Sequence, residues 1–128
     1  MGMNEEQLIE LCPDFTEWPE RWKGIEPDVA YGQKLLEEMR PFAEFLADSG
    51  LSKKSVKGHL DNLFLLGGEI IRDVSMENEY SVPASKKLRE SVWEDGGPDC
   101  RHLVSASAIN AFDGTCRKLH KFLVSNDK

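Results

Sequence analysis

One apolar stripe constrains this chain more than any other feature. From Val56 onward, Leu60, Leu63, Phe64, Gly67, Ile70, Ile71 and Val74 recur at the three-and-four spacing of an α-helix, and Leu65 and Leu66 widen the face. A stripe this broad has to be covered by several neighbours, so the helix expected from Ser52 to about Val74 should be the most buried element. Ser52 is a good N-cap, and Gly50 just before it is a good stop for the preceding helix. That preceding helix is expected from Pro27 to Asp48, on the spacing of Leu35, Met39, Phe42, Ala43 and Leu46. Pro27 suits its first turn, and Pro41 predicts a kink or a break inside it. The pair Gly67-Gly68 costs roughly 1 kcal/mol per glycine in mid-helix relative to alanine. Such glycines usually admit a close backbone, so a crossing helix is expected there.

The remaining segments are shorter. Residues 4–11, NEEQLIEL, read as a short helix that stops before Pro13. The stretch CPDFTEWPERWKGIEP that follows has no clean periodicity. It is expected to be an ordered but irregular arm whose Phe15, Trp18 and Trp22 dock on the body, with an exposed aromatic patch for a partner as the alternative. Pro83 to about Trp93 predicts a short helix, with Leu88, Val92 and Trp93 facing in and Lys86, Lys87 and Arg89 facing out. A last helix is expected from about Ser105 to Leu123, with Ile109, Phe112, Cys116, Leu119 and Leu123 as its core face. Alternating runs and hairpin turns are missing. The fold class that follows is all-α: an orthogonal bundle of four to five helices in a single domain over 1–128, with an acidic arm over 1–26 and a helical core over 27–125.

At 128 residues, with 40% apolar and 30% charged side chains, the chain suits one soluble hydrophobic core. No apolar run approaches the ~18 residues of a membrane span, and the N-terminus lacks a signal-like start, so a cytoplasmic protein is expected. Three cysteines at irregular spacing agree with a reducing compartment. The net charge of -7 is unevenly spread: residues 1–50 hold 4 basic against 12 acidic side chains, and residues 51–128 hold 12 against 11. Bulk charge therefore argues against nucleic acid, while its distribution leaves that partner open.

Candidate chemistry is sparse. Cys100 and His102, with Cys116 and His120 at i, i+4, are zinc-ligand types, but the first pair has an unusual spacing and Cys116 lies on an apolar stripe, where cysteine behaves as a small hydrophobe. No metal and no cofactor are expected. No nucleophile elbow is present, LLGGEI lacks the phosphate-loop spacing, and no enzymatic activity is expected. The basic clusters carry more information. Lys86, Lys87 and Arg89 read as a solvated face. Arg117, Lys118, His120 and Lys121 lie near a helix C-terminus, where cations are stabilising. Lys53, Lys54, Lys57 and His59 crowd a helix N-terminus, where cations are disfavoured but free amides and lysines together suit a phosphate.

FAEFLADSGLSKKSVKGHLDNL, residues 42–63, resembles the signature of the core-binding, SAM-like domain at the N-terminus of phage-integrase-type tyrosine recombinases. FDGTCRKLHKFL, residues 112–123, resembles that domain's last helix. The two segments stand in the family's order and cover roughly half of the chain. The whole chain also resembles a group of small bacterial proteins built as a free-standing version of this domain. The resemblance implies a bundle of about four helices in which the helix after GLS faces DNA. It points to Ser52, Lys53, Lys54, Lys57 and His59 as backbone contacts, with Arg117, Lys118 and Lys121 as a second set. The recombinase catalytic domain has no counterpart in these residues, so this chain alone is expected to carry no recombination chemistry.

Two functions remain in view. The first is a non-catalytic module on double-stranded DNA, assisting a recombinase or another DNA enzyme. The second is a protein-interaction or regulatory domain, as a homodimer or with another protein, that has lost DNA binding and whose Trp18 and Trp22 anchor a partner. Surface geometry separates them: lysines sharing one acid-free face favour DNA, and acids interleaved with them favour a protein partner.

Overall fold

The computed structural model describes residues 2–100 and 102–125, with side chains from Glu6 onward. Met1, Arg101 and residues 126–128, which the single-domain expectation includes, lie outside the described residues. Six α-helices follow in order: α1 (Gly2–Leu11), α2 (Trp18–Trp22), α3 (Pro27–Ala47), α4 (Lys53–Glu77), α5 (Ala84–Ser91) and α6 (Ala106–Ser125). A 3-10 turn over Phe15–Glu17 leads into α2. No strand occurs among the described residues, so the chain is all-helical.

The long helix α4 forms as its stripe predicts. Val56, Leu60, Leu63, Leu66, Gly67, Ile70, Ile71 and Val74 are all buried. At its start the Ser52 hydroxyl oxygen accepts the Ser55 amide at 3.1 Å. At its end Asn78 adopts a left-handed conformation (φ 54°, ψ 49°) and its amide bonds back to Val74. Gly50, at φ +85°, makes the turn between α3 and α4.

Helix α3 runs unbroken through Pro41, so of the kink or break expected there the break does not occur. Pro41 lies on the exposed face of α3. There the Glu37 carbonyl that loses its amide partner can be hydrated.

The arm docks on the body as expected, and it is regular over Trp18–Trp22, where it forms α2. Phe15, Trp18 and Trp22 are buried, with Phe15–Trp18 ring centroids 4.7 Å apart and Trp18 edge-on to Phe64 at 5.4 Å. The Trp22 indole donates to the Phe64 carbonyl at 2.9 Å. Its ring occupies the gap at Gly67, where an added Cβ would lie 2.6 Å from Trp22 Cε2. The glycine gap in α4 therefore admits an indole from α2, not a crossing helix. Gly32 of α3 does the matching service on the other side, with Pro19 Cβ 3.1 Å from where its own Cβ would be. Glycines on two long helices thus seat α2 between them.

Two inward assignments on the later helices are corrected. Trp93 is 46% exposed, because α5 ends at Ser91 and Val92 is extended (φ -127°, ψ 149°). Extended backbone sends successive side chains to opposite faces, so buried Val92 puts Trp93 outside. Ile109 is exposed too, because the first turns of α6 project past the body, while Phe112, Cys116, Leu119 and Leu123 are buried as expected. Lys87, expected to face out, is tucked between Glu79 at 2.7 Å and Asp73 at 3.2 Å.

Candidate nucleic-acid interface

The two segments that carry the candidate cations meet where α4 crosses the middle of α6. The join is polar. His59 Nδ1 lies 2.8 Å from Thr115 Oγ1, and the Asn62 amide donates to the same oxygen at 2.9 Å. Thr115 Oγ1 also lies 3.3 Å from the Ala111 carbonyl, to which its hydroxyl can donate. Thr115 is buried, so these bonds satisfy a group that would otherwise be costly inside the protein. Lys118, one turn beyond Thr115, lies close enough to act on the imidazole. Burial first, and then the Lys118 charge, hold the His59 pKa below its ordinary value. His59 is therefore mostly neutral at pH 7.

The eight candidate residues do not form one patch. His59 and Lys118 come together, and Lys121 follows Lys118 by one turn of α6. Arg117 turns the other way, toward the Asp95 carbonyl at 3.4 Å. Lys53 lines a hollow with Gln7, Glu10, Leu11, Asp48 and Val56, between α1 and the α3–α4 turn. Lys57 and Asp61 both act on the Cys12 thiol, so they lie on the α1 side as well. Lys54 is exposed beside the Ser52 cap, whose oxygen is already committed to Ser55. The cations of the lysine turn thus have acids near them on one side and His59 with Lys118 on the other.

Pairing separates the basic clusters more cleanly. Lys86 meets Glu90 at 2.7 Å, Lys87 meets Glu79 and Asp73, Arg21 meets Asp14 and Glu17, Lys23 meets Glu20 and Glu26, and Arg40 meets Glu37. Among the described residues, Lys53, Lys54, Lys57, Arg117, Lys118 and Lys121 enter no ion pair, and Lys34 and Arg72 share that condition.

The alternative anchors, Trp18 and Trp22, lie in the core, where Trp22 keeps only an edge at a surface hollow it shares with Phe64 and Gly68. Among the described residues the exposed aromatics instead are Trp93 and Phe45, the latter at the end of α3, 48% accessible and packed 5.0 Å from Phe122 of α6. Cys100 and Cys116 are buried thiols, and burial above all pushes Cys116 up to about 12, with Asp113 and Cys100 adding to it. Among the described residues no group of three or more His, Cys, Asp or Glu side chains is arranged to hold a metal, and no helix is long and apolar enough to cross a membrane.

Sequence reasoning missed Thr115 and Asn62. Thr115 had a signal: it is a polar side chain inside the apolar stripe of α6, which demands a buried partner. Asn62 had none, because an asparagine beside a helix stripe looks like any solvated residue. In comparison with known proteins, no family model, no curated protein and no solved structure matches this chain.

Proposed function

We propose that this chain is a non-catalytic DNA-associated module with a SAM-like helical arrangement, gripping the phosphate backbone of a duplex through the α4 turn (Ser52, Lys53, Lys54, Lys57, His59) and the outer face of α6 (Lys118, Lys121, with Arg117 at its margin). The observation that carries this reading is the pairing contrast. Among the described residues the cations of these two segments enter no ion pair, whereas Lys86 and Lys87 of the α5 cluster are each paired with acids. Free lysines at a helix N-terminus suit phosphates and read no base sequence, so binding would be weakly specific.

The test is binding to a labelled random duplex at low and moderate salt. Expected are a steep loss of affinity with salt and weaker binding for both Lys53→Ala/Lys54→Ala/Lys57→Ala and Lys118→Ala/Lys121→Ala. Lack of binding at low salt overturns the proposal. A second reading has its own support. Glu10 and Asp48 line the same hollow as Lys53, and Phe45 is exposed near the end of α3, which suits a protein-interaction domain. That reading predicts a chain that binds no duplex.

A further inference from the structure

We propose that His59 couples phosphate binding to proton uptake, with its Nε2 and the Lys118 ammonium holding one phosphodiester oxygen pair of duplex DNA between them. This deepens the DNA reading above and rests on it.

The argument begins with the ring's fixed side. Nδ1 is held by Thr115 Oγ1 at 2.8 Å, so the ring cannot swing freely. Nε2 has no partner. It is also not a buried orphan, because among the described residues the one buried side-chain polar atom without a hydrogen bond is Gln7 Oε1. Nε2 therefore meets solvent, on the same junction as Lys118.

The network also accepts both charge states. In the neutral ring, Nδ1 either accepts from the Thr115 hydroxyl or donates to it. In the imidazolium both nitrogens donate. Nδ1–H then points to Thr115 Oγ1, and the Thr115 hydroxyl turns to the Ala111 carbonyl at 3.3 Å. Asn62 keeps its bond to Thr115 throughout. No buried group loses its partner on protonation, so partial burial and Lys118 alone oppose the charge.

A bound phosphate reverses that balance. It neutralises Lys118, and it accepts a charge-assisted bond from Nε2–H. The surrounding charges leave this arrangement open. From α6, Lys118 reaches the ring, Arg117 turns to the Asp95 carbonyl, and Asp113 faces the Gly97 amide on another side of the helix. On α4, Lys57 and Asp61 lie toward Cys12. No charged group of α3 acts on the ring. Among the described residues the charge that acts on the ring is Lys118, and no acid forms a hydrogen bond with it.

The consequence is linkage. Binding that takes up a proton strengthens as pH falls. Duplex affinity at fixed salt is expected to be about threefold to tenfold tighter at pH 6 than at pH 8. His59→Asn keeps a polar group toward Thr115 and cannot titrate, so its affinity should depend much less on pH. His59→Asn leaves His102 and His120 in place, so the comparison isolates His59. As a readout that needs no variant, the His59 ring resonance followed by NMR should titrate at higher pH with a 16-base-pair duplex present than without it. Binding with the same pH dependence in wild type and His59→Asn, or an unmoved His59 titration, overturns this inference and leaves the DNA reading intact. Absence of binding at every pH overturns both.

Discussion

Gly67 and Gly68 are neighbours in the same helix, yet substitution should move them in opposite directions. A methyl at Gly67 would overlap the Trp22 ring, 2.6 Å from Cε2, and the indole cannot retreat because it is bonded to the Phe64 carbonyl. Gly67→Ala is expected to cost about 2–3 kcal/mol as an overpacked core site. At Gly68 the nearest atom is Trp22 Cδ1 at 3.6 Å, an ordinary contact. Gly68→Ala should stabilise by about 0.5–1 kcal/mol through backbone entropy. Urea denaturation of the two variants measures both signs, and equal effects would mean the indole is not seated in α4. The sequence showed that something must approach this pair, because mid-helix glycines are expensive. It did not show what, because the partner ring comes from a segment without periodicity. Asp28 makes a similar point. It is buried, and it accepts the Gly24 amide at 2.8 Å, the Ile25 amide at 3.0 Å and the Tyr80 hydroxyl at 2.6 Å. Burial would raise its pKa, but the bonds from Tyr80, Gly24 and Ile25 outweigh it and the pKa falls below the ordinary value. A lowered pKa means the folded state binds fewer protons, so this stabilisation is present above pH ~4 and is lost as pH drops below it. Asp28→Asn should cost about 2–3 kcal/mol at pH 7. The gap from wild type should narrow below pH 4 in a series of thermal melts, and a gap independent of pH would assign the loss to packing.

The α4 helix carries its cations at the end where its dipole opposes them. Lys53 and Lys54 fill the first turn and Lys57 the second, and among the described residues none has an acid partner to lose. Replacing all three with alanine should therefore leave the melting temperature unchanged or slightly raised, with a gain of a few tenths of a kcal/mol per residue at low salt. A marked fall would show that the lysines serve the fold, and the search for a partner at this turn would lose its ground. Helices α3, α4 and α6 were legible because their stripes are long and their caps are ordinary: Ser52 caps, Gly50 turns, and the periodic residues apart from Ile109 and the half-buried Phe64 are buried. Element ends were less legible. The orientation of Trp93 hinges on a single extended residue, Val92, and α2 has five residues, too few for a period to show. Lys87 looked solvated because its partners, Asp73 and Glu79, belong to the previous helix and the loop after it.

Charge is segregated over the molecule, and this bears on how a duplex would approach. Residues 1–50, which build α1 to α3, hold 12 acids against 4 bases. Two of those acids, Glu10 and Asp48, share the hollow of Lys53 at the start of α4. Glu38 lies at the other end of the bundle, with Tyr31, Tyr80 and Val82 near the α4–α5 connection. The sequence revealed the excess of acids but not their placement, because α1 reaches Lys53 only through the tertiary fold. If phosphates dock on the α4 turn, Glu10 and Asp48 repel them from about 10 Å, at roughly 0.4 kcal/mol per charge pair in water. Glu38 stands ten residues before Asp48 along α3, about 15 Å at the helical rise, which is beyond the Debye length of ~10 Å at 0.1 M salt. Glu10→Gln/Asp48→Asn should therefore tighten duplex binding roughly threefold to tenfold at low salt, and Glu38→Gln should change it little. The advantage should shrink as salt rises, because screening removes the repulsion being relieved. Titrations of a fluorescent duplex against the three proteins at two salt concentrations decide the matter. Equal gains from both substitutions would mean that net charge, not docking at the α4 turn, governs the encounter. A gain confined to Glu10 and Asp48 would place the phosphates beside Lys53.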